Sequence, residues 1–204
     1  MSGAGKTQGL PGIDGKFGCI CADPPWHFKS NSRANPGRNA LKHYDCQSLT
    51  DIATLPVKEH VADNCVLFMW ITGPFLAIGA HLPIMKAWGF KPSGMGFDWV
   101  KLNPRAGKLF MMEQDFARGT GFTTQKNLEY CLIGKRGRSM RQKVVPALII
   151  DNRREHSRKP EIFRDRVREY VGPEVDVLEL FARSSPDDPK WTVWGNETSK
   201  FEAA

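Results

Sequence analysis

The 204-residue sequence has neither a long apolar run nor a paired-cysteine motif. Its longest unbroken apolar run, residues 65–71, is far shorter than the roughly 18 residues that a membrane span needs. No apolar segment typical of a secretory signal follows the N-terminus. The five cysteines are odd in number and include no Cys-x-x-Cys pair, which argues against a disulfide framework and a zinc site. These absences predict a soluble, cytoplasmic protein with reduced cysteines, no membrane association and no bound metal.

Length and composition predict one folded domain. A chain of this size is closer to one typical domain than to two. Its 41% hydrophobic and 25% charged residues are ordinary values for globular proteins and exclude a wholly disordered chain. Residues 1–15 are rich in glycine and lack periodicity. We therefore expect a flexible N-terminal segment over residues 1–15 and a single domain over residues 16–204.

Positive charge is concentrated in one third of the chain. The net charge is +7, but residues 135–168 hold twelve basic and four acidic residues, which leaves the remainder close to neutral. A basic region on a nearly neutral body is typical of proteins that bind polyanions, although a solvated surface that maintains solubility has the same composition. Five arginines of this region are candidate nucleic-acid contacts: Arg136, Arg138, Arg141, Arg153 and Arg154.

Apolar runs separated by turn residues predict strands that alternate with helices. Strands are predicted over residues 17–22, 65–71, 97–101, 129–134, 147–150, 175–181 and 191–194. Helices are predicted to begin at Ser48, to run over residues 74–88 with a kink or break at Pro83, and to run over residues 159–171. This alternation predicts an α/β domain with a mainly parallel sheet, whose ligands bind beyond the carboxyl ends of the strands.

The tetrapeptide Asp23-Pro24-Pro25-Trp26 directly follows the first predicted strand. The exocyclic amine of a purine is a poor nucleophile because its lone pair is delocalised into the ring. Acceptors such as the Asp23 carboxylate and the Pro24 carbonyl would stabilise positive charge that develops on that amine. The prolines would hold the carbonyl rigidly, and Trp26 offers a face on which a flipped base could stack. Alternatively, the prolines only end the strand and Trp26 is a core residue; we interpret all four as candidate catalytic residues.

Further motifs follow the tetrapeptide along the chain. They are Phe68-Met-Trp70, Trp99-Val-Lys101, Gly119-Thr-Gly121, Glu129-Tyr-Cys-Leu132, Ser157-Arg-Lys-Pro160, Leu178-Glu-Leu-Phe181, and Trp191 with Gly195-Asn196. With Ala22-Asp-Pro-Pro-Trp26, they occur in the order found in the MT-A70 family, the N6-adenine methyltransferases that carry a D-P-P-W signature. The sequence resembles this family from about residue 17 to residue 197.

The resemblance implies a Rossmann-like methyltransferase fold that uses S-adenosylmethionine. It also implies helices on both faces of the sheet and a permuted order, with the catalytic motif ahead of the cofactor motif. Asp23 matches the family acid that touches the target amine and the methionine end of the cofactor, and Lys159 matches the lysine that holds the cofactor carboxylate. Arg183, Asn196 and Glu197 match the ribose contacts. The implied cofactor-binding residues are Asp23, Lys159, Leu180, Phe181, Arg183, Asn196 and Glu197.

One segment departs from the family pattern. The loop after Phe181 reads Ala182-Arg-Ser-Ser-Pro186, without the glycines of many cofactor-binding turns. The stretch before Phe17 offers no match for the residues that enclose the cofactor adenine. The ribose contacts are therefore assigned by position in the chain and not by the turn sequence.

The activity implied by the resemblance is methyl transfer to adenine N6 in nucleic acid, by direct displacement and without a metal. The sequence carries no accessory zinc finger and no targeting tail, so we expect DNA as the substrate, with predicted loops over residues 27–44 and 102–124 reading the target. The alternatives are RNA methylation, another amine such as cytosine N4 or a protein glutamine, a basic RNA-binding module, and an inactive nucleic-acid-binding subunit of a methyltransferase complex. Inactive subunits lose the acid or the aromatic of the tetrapeptide, and both are present here. A dimer or a partner subunit stays open.

Overall fold

A computed structural model describes residues 9–26, 48–106, 111–119, 124–138, 140–153 and 158–200. The strands are β1 (Phe17–Ala22), β2 (Val61–Ile71), β3 (Lys91–Leu102), β4 (Leu128–Arg136), β5 (Leu148–Asn152), β6 (Val177–Leu180) and β7 (Trp191–Trp194). The α-helices are α1 (Leu49–Thr54), α2 (Gly73–Ala77), α3 (His81–Ala87) and α4 (Ile162–Val171). Within these ranges, none of the helices has the length and apolar character required to span a bilayer.

The strands form one sheet in the order β5-β3-β4-β2-β1-β6-β7. Neighbouring strands are parallel except around β4, which is antiparallel to both β2 and β3. The carboxyl ends of the other six strands and the beginning of β4 therefore lie at one edge of the sheet, which we call the carboxyl edge. The opposite edge is the amino edge. The predicted mainly parallel α/β sheet is confirmed.

Helices cover both faces of the sheet, as the family resemblance implies. Successive residues of a strand point to opposite faces, and β2 separates the two cores in this way. Leu67 belongs to the core that contains Ile84 of α3 and Trp88, the residue directly after that helix. Phe68 belongs to the other core and makes an edge-on ring contact with Phe163 of α4 at 6.4 Å between centroids. The sheet is therefore buried between α1 to α3 on one side and α4 on the other.

The helix predicted over residues 74–88 is divided, but at Gly79 and not at Pro83. Gly79 adopts φ +68° between α2 and α3, a left-handed conformation that glycine takes without strain. Pro83 lies in the first turn of α3, where its missing N–H removes no intrahelical hydrogen bond. Gly89, with φ +86°, follows the end of α3 as predicted.

Residues 9–15 pack on the domain, in contrast to the flexible segment that the sequence predicts. Leu10 is 3% exposed within the core that contains α3. The Leu10 N–H donates to His60 Nε2 at 2.8 Å, and His60 Nδ1 lies 3.3 Å from the Gly15 carbonyl oxygen. Leu10 and Ile13, which packs against the same core, are too few among glycines and a proline to give a periodic pattern, so their burial leaves little signal in the sequence. The prediction for residues 1–8 falls outside the described residues.

We expect the Leu10→Ala substitution to lower the free energy of unfolding by about 2–4 kcal/mol, the usual cost of a cavity in a core. Ile78→Ala is the control, since Ile78 is 72% exposed, and it should change stability by less than about 0.5 kcal/mol. Urea denaturation of both variants measures the difference. An equal, small effect of the two would show that residues 9–15 are not part of the folded unit.

Candidate active site

The carboxyl edge brings the predicted catalytic acid and the predicted lysine into contact. Asp23 directly follows β1, between β2 and β6, and its backbone N–H donates to the Leu180 carbonyl at 3.4 Å. Lys159 lies just before α4, 136 residues away in sequence. Its Nζ donates to Asp23 Oδ2 at 2.5 Å, and both side chains are mostly buried. The two residues on which the sequence interpretation depends thus form one ion pair.

Two further residues extend this pair into a chain of alternating charges. Lys159 Nζ also lies 3.3 Å from Glu129 Oε2, and Glu129 Oε1 accepts a hydrogen bond from Lys101 Nζ. The Lys159 ammonium stands 5.5 Å from the centroid of the Trp70 ring, within the range of a cation–π interaction. The four side chains follow one another in the order Asp23, Lys159, Glu129, Lys101, and their charges sum to zero. Partly buried charges are tolerated only when opposite charges neutralise them in this way.

Glu129 and Lys159, the two inner members of this series of charges, are stabilised in their ionised forms by their neighbours. Burial alone would raise the pKa of Glu129, but the positive charges of Lys159 and Lys101 outweigh it and lower the pKa from 4.5 to about 2. Burial would lower the pKa of Lys159, but the carboxylates of Asp23 and Glu129 raise it above its ordinary value. Lys159 is therefore a permanent cation beside Asp23 at neutral pH.

A cavity of about 380 Å³ opens beside this ion pair. Its wall contains four of the predicted cofactor-binding residues, Asp23, Lys159, Phe181 and Arg183, together with Trp70. A volume of this size is within the range of small-molecule sites. The remaining three predicted residues, Leu180, Asn196 and Glu197, are not among those that line the cavity.

Those three residues nevertheless belong to the same end of the sheet. Leu180 is fully buried at the end of β6, directly before Phe181. Glu197 Oε2 lies 2.9 Å from Nη1 of Arg183, so it supports a cavity residue without lining the cavity itself. Asn196 precedes Glu197 in the segment that follows β7. The structure therefore places Leu180 behind the cavity and Glu197 beside it.

The backbone after β6 is held in an unusual conformation. Phe181 adopts φ +61°, which a non-glycine residue takes rarely and at a cost of roughly 1–3 kcal/mol. Its ring contacts Trp194 at 5.9 Å between centroids. A Cβ atom at Gly195 would lie 3.1 Å from backbone atoms of Phe181 and Ala182, so only glycine fits there without a shift. The end of β7 thus packs directly against the cavity wall.

Within the tetrapeptide, Trp26 is a core residue. It is 5% exposed, stacks on Phe75 at 5.2 Å between centroids, and donates from Nε1 to the Trp70 carbonyl at 3.0 Å. The Trp26 N–H donates to the Pro24 carbonyl oxygen at 2.8 Å, which fixes the turn that follows Asp23. Pro24 is buried and Pro25 is half-buried. The face that was expected to stack a flipped base packs on Phe75, so Trp26 orients the turn and does not offer a stacking surface here.

The predicted nucleic-acid arginines lie at opposite edges of the sheet. Arg136 ends β4 at the amino edge, eight residues and so roughly 26 Å from the residue that begins β4 at the carboxyl edge. Arg138 and Arg141 follow it in the connection to β5, which begins at the same edge. Arg153 directly follows β5 at the carboxyl edge, and its N–H donates to the Leu102 carbonyl at 2.8 Å. Arg154 falls outside the described residues.

The two predicted target-reading loops are described only in part. Residues 27–44 fall outside the described residues. In the loop predicted over 102–124, the described residues include a short 3-10 turn, Glu113–Asp115, and Phe116 pairs with Leu102 in an isolated bridge. The bridge places this segment at the end of β3, next to Lys101, whose carbonyl accepts from the Ala117 N–H at 2.7 Å.

Glu129 has a structural position that sequence reasoning missed. The motif Glu129-Tyr-Cys-Leu132 assigns no role to it, because an acid at the beginning of an apolar strand has the same pattern as a solvated residue. Its partners Lys101 and Lys159 are 28 and 30 residues away. Knowledge of the strand direction would have identified Glu129, because an antiparallel β4 brings its first residues to the edge where Asp23 lies.

The low pKa of Glu129 makes stability depend on pH in a defined interval. Because folding lowers this pKa from 4.5 to about 2, the stabilisation is complete above pH 4.5 and is lost as the pH falls toward 2. Between pH 4.5 and pH 2, the free energy of unfolding should fall less steeply for Glu129→Gln than for the wild type. Over the whole interval, the wild type should lose up to about 3 kcal/mol more than the variant. The exposed Glu113→Gln is the control and should keep the wild-type slope. Parallel slopes for all three proteins, from denaturant melts, would contradict the assignment.

Comparison with known proteins agrees with this geometry. The family model MT-A70 matches residues 17–197. The Type II methyltransferase M.MunI of Mycoplasma sp is 30% identical, over 89% of this chain and 78% of its own length. In Homo sapiens, the N(6)-adenine-specific methyltransferase METTL4 is 28% identical over 91% of this chain, and the N(6)-adenosine-methyltransferase catalytic subunit METTL3 is 27% identical over 91%. The chain spans 38% and 29% of these two human relatives. Since the matched segment runs from the first residue of β1 to beyond β7 and contains every residue of the site, the chain belongs to the MT-A70 family.

Proposed function

We propose that this protein transfers a methyl group from S-adenosylmethionine to the N6 amine of adenine in DNA. The single observation that carries the proposal is the ion pair between Asp23 and Lys159 in the wall of a cavity of ligand size. DNA is supported by the extent of the matches: the chain spans 78% of the Type II methyltransferase M.MunI but 29% of METTL3, whose name specifies adenosine. The buried free thiols of Cys19, Cys21 and Cys65 fit a reducing compartment, the cytoplasm.

The side chains around the cavity fit the proposed cofactor in chemical type. The amino-acid end of S-adenosylmethionine carries an ammonium and a carboxylate, and Asp23 and Lys159 offer one charge of each complementary sign. Arg183 offers donors suited to ribose hydroxyls, and Glu197, outside the cavity wall, holds its guanidinium. Phe181 supplies apolar surface in the same wall. When bound, the cofactor supplies a methyl group activated by a sulfonium.

The catalytic work of the protein is to hold acceptors around the attacking amine. A carboxylate accepts about four hydrogen bonds, so the bond from Lys159 leaves Asp23 capacity for an amine hydrogen. The Pro24 carbonyl has a second lone pair beside the one that accepts from Trp26 N–H. These two fixed oxygens stabilise the positive charge that develops on the nitrogen. The amine becomes strongly acidic only after alkylation, so Asp23 or water takes the proton late and no strong base is required.

The substrate is tested by incubating the protein with tritiated S-adenosylmethionine and DNA or RNA of matched sequence, then digesting the product and identifying the labelled nucleoside. We expect N6-methyldeoxyadenosine from DNA. Asp23→Asn at saturating cofactor should lower kcat at least about a hundredfold, because one charged acceptor is lost in the transition state. Asp63→Asn, an exposed acid near the beginning of β2, is the control and should retain activity.

The outcomes separate the alternatives. Label in RNA alone would overturn the choice of DNA, and label on cytosine would overturn the choice of adenine. An active Asp23→Asn variant would contradict the role of Asp23. A wild-type protein that binds nucleic acid but neither binds the cofactor in calorimetry nor transfers label would be the inactive subunit.

The two edges of the sheet should differ in their contribution to DNA binding. Arg153 lies at the edge that holds Asp23, so Arg153→Ala should weaken DNA binding and reduce the slope of log K against log salt by about 1, as for one lost phosphate contact. Arg138→Ala is the matched control at the amino edge and should leave the slope unchanged. Binding titrations at several salt concentrations measure both. If the slope of log K against log salt decreased in the Arg138 variant alone, the DNA would bind at the amino edge instead.

A further inference from the structure

The loop that follows Phe181 forms part of the cavity wall without the glycines that many cofactor-binding turns use. Arg183, Ser184, Ser185 and Pro186 all line the cavity. The backbone enters this loop through the left-handed Phe181, which is sterically unfavourable for a residue with a side chain. Some other interaction must therefore hold the loop in place.

Arg164 of α4 supplies that interaction. Its Nε and Nη2 donate to the two carboxylate oxygens of Glu179 in β6, at 2.9 and 3.1 Å. Its Nη1 donates to Ser184 Oγ at 3.1 Å, and its Nη2 also donates to the Ser184 carbonyl oxygen at 2.7 Å. One guanidinium thus joins the strand before the loop to the middle of the loop, while its own side chain lines the cavity.

The carboxylate of Glu179 is fixed from a second direction. Glu179 Oε2 also accepts from Nε1 of Trp191 in β7, at 2.8 Å. Glu179 and Arg164 are mostly buried, with side-chain exposures of 17% and 21%, so water competes weakly for these hydrogen bonds. The arrangement connects α4, β6, β7 and the loop through rigid, bidentate geometry, which a planar guanidinium provides and an ammonium does not.

We propose that Arg164 is a positioning residue that holds loop 182–186 in the shape that binds the cofactor, in place of a glycine-built turn. The inference rests on the proposed function, because it takes the cavity as the cofactor site. Arg164 acts through Glu179 and Ser184, so its loss should change the affinity for the cofactor and leave the affinity for nucleic acid unchanged.

The same helix offers a matched control in Arg168, one turn further on. Arg168 donates from Nε and Nη2 to Asp188 Oδ2 at 2.9 and 2.7 Å, and from Nη1 to the carbonyls of Gly172 and Val175. Its side-chain exposure of 20% is close to the 21% of Arg164, but it does not line the cavity. Arg164→Ala and Arg168→Ala should therefore cost similar stability, and only the first should change cofactor affinity.

The experiment measures the Kd of S-adenosylmethionine by calorimetry, its KM, and the KM of the nucleic acid for five proteins. These are the wild type, Arg164→Ala, Arg164→Lys, Ser184→Ala and Arg168→Ala, each checked by thermal denaturation. We expect Arg164→Ala to raise the cofactor Kd and KM at least about tenfold, the size of one lost charged hydrogen bond. Arg164→Lys should rescue little of this, since one ammonium cannot bridge Glu179 and Ser184 in the same geometry. The KM of the nucleic acid should stay constant.

A double-mutant cycle on the cofactor Kd distinguishes an indirect effect from direct contact. If Arg164 acts through the loop, Arg164→Ala combined with Ser184→Ala should weaken binding by less than the product of the single effects. If Arg164→Ala does not fold, Arg164→Lys and Ser184→Ala decide the question by the same measurements.

Equal effects of Arg164→Ala and Arg168→Ala on cofactor Kd, or full rescue by lysine, would overturn the positioning role. A wild-type protein that does not bind S-adenosylmethionine would instead overturn the proposed function. The two results are distinguishable, because the positioning role can be tested only if the wild type binds the cofactor, whereas the proposed function fails if it does not.

Discussion

The site depends on the ion pair between Asp23 and Lys159, and on the need to keep those partly buried charges neutralised. Removing an ion from water costs several kcal/mol, which only close geometry and further hydrogen bonds offset. Lys159 meets this requirement with two carboxylates, those of Asp23 and Glu129, and Lys101 compensates the second. Loss of Lys159 removes the ion pair of Asp23, and loss of Glu129 removes that of Lys101. The Asp23 carboxylate is thereby held in a fixed place in the wall of the cavity.

The topology of the sheet makes this neutral chain of charges feasible. The parallel strands carry Asp23 and Lys101 to the carboxyl edge from the ends of β1 and β3. The reversed direction of β4 brings Glu129, its second residue, to the same edge. Because α4 begins near this edge and returns toward the other, the residue before it, Lys159, also lies there. Four residues scattered over the chain meet because strand direction, and not sequence distance, determines which ends are neighbours.

The sequence predicted the elements whose signals are local. β1 and β7 have the predicted bounds, because apolar runs end at proline, aspartate or glycine. β3 begins six residues before its prediction, since Lys91–Gly96 contains a proline and two glycines and its register shifts twice. The roles of Trp26 and Glu129 depend on partners distant in sequence. The sequence around Trp26 would be the same whether its ring stacked on a base or on Phe75. Likewise, the sequence around Glu129 would be the same whether the acid were solvated or placed between two lysines.

The basic third of the chain shows why a charged window in sequence is not a charged surface. α4 crosses the sheet from one edge to the other, so arginines at different positions along the helix bind different partners. Arg164 binds Glu179, and Arg168 binds Asp188. Arg166 donates to the carbonyl of Pro146, just before the outermost strand β5, and to that of Leu148, its first residue, which satisfies an acceptor of this strand and discourages pairing with another strand. These three cations bind within the fold, so the excess charge overstates the surface that meets a polyanion. The net charge of a sequence window therefore measures attraction for a polyanion only after the cations held within the fold are subtracted.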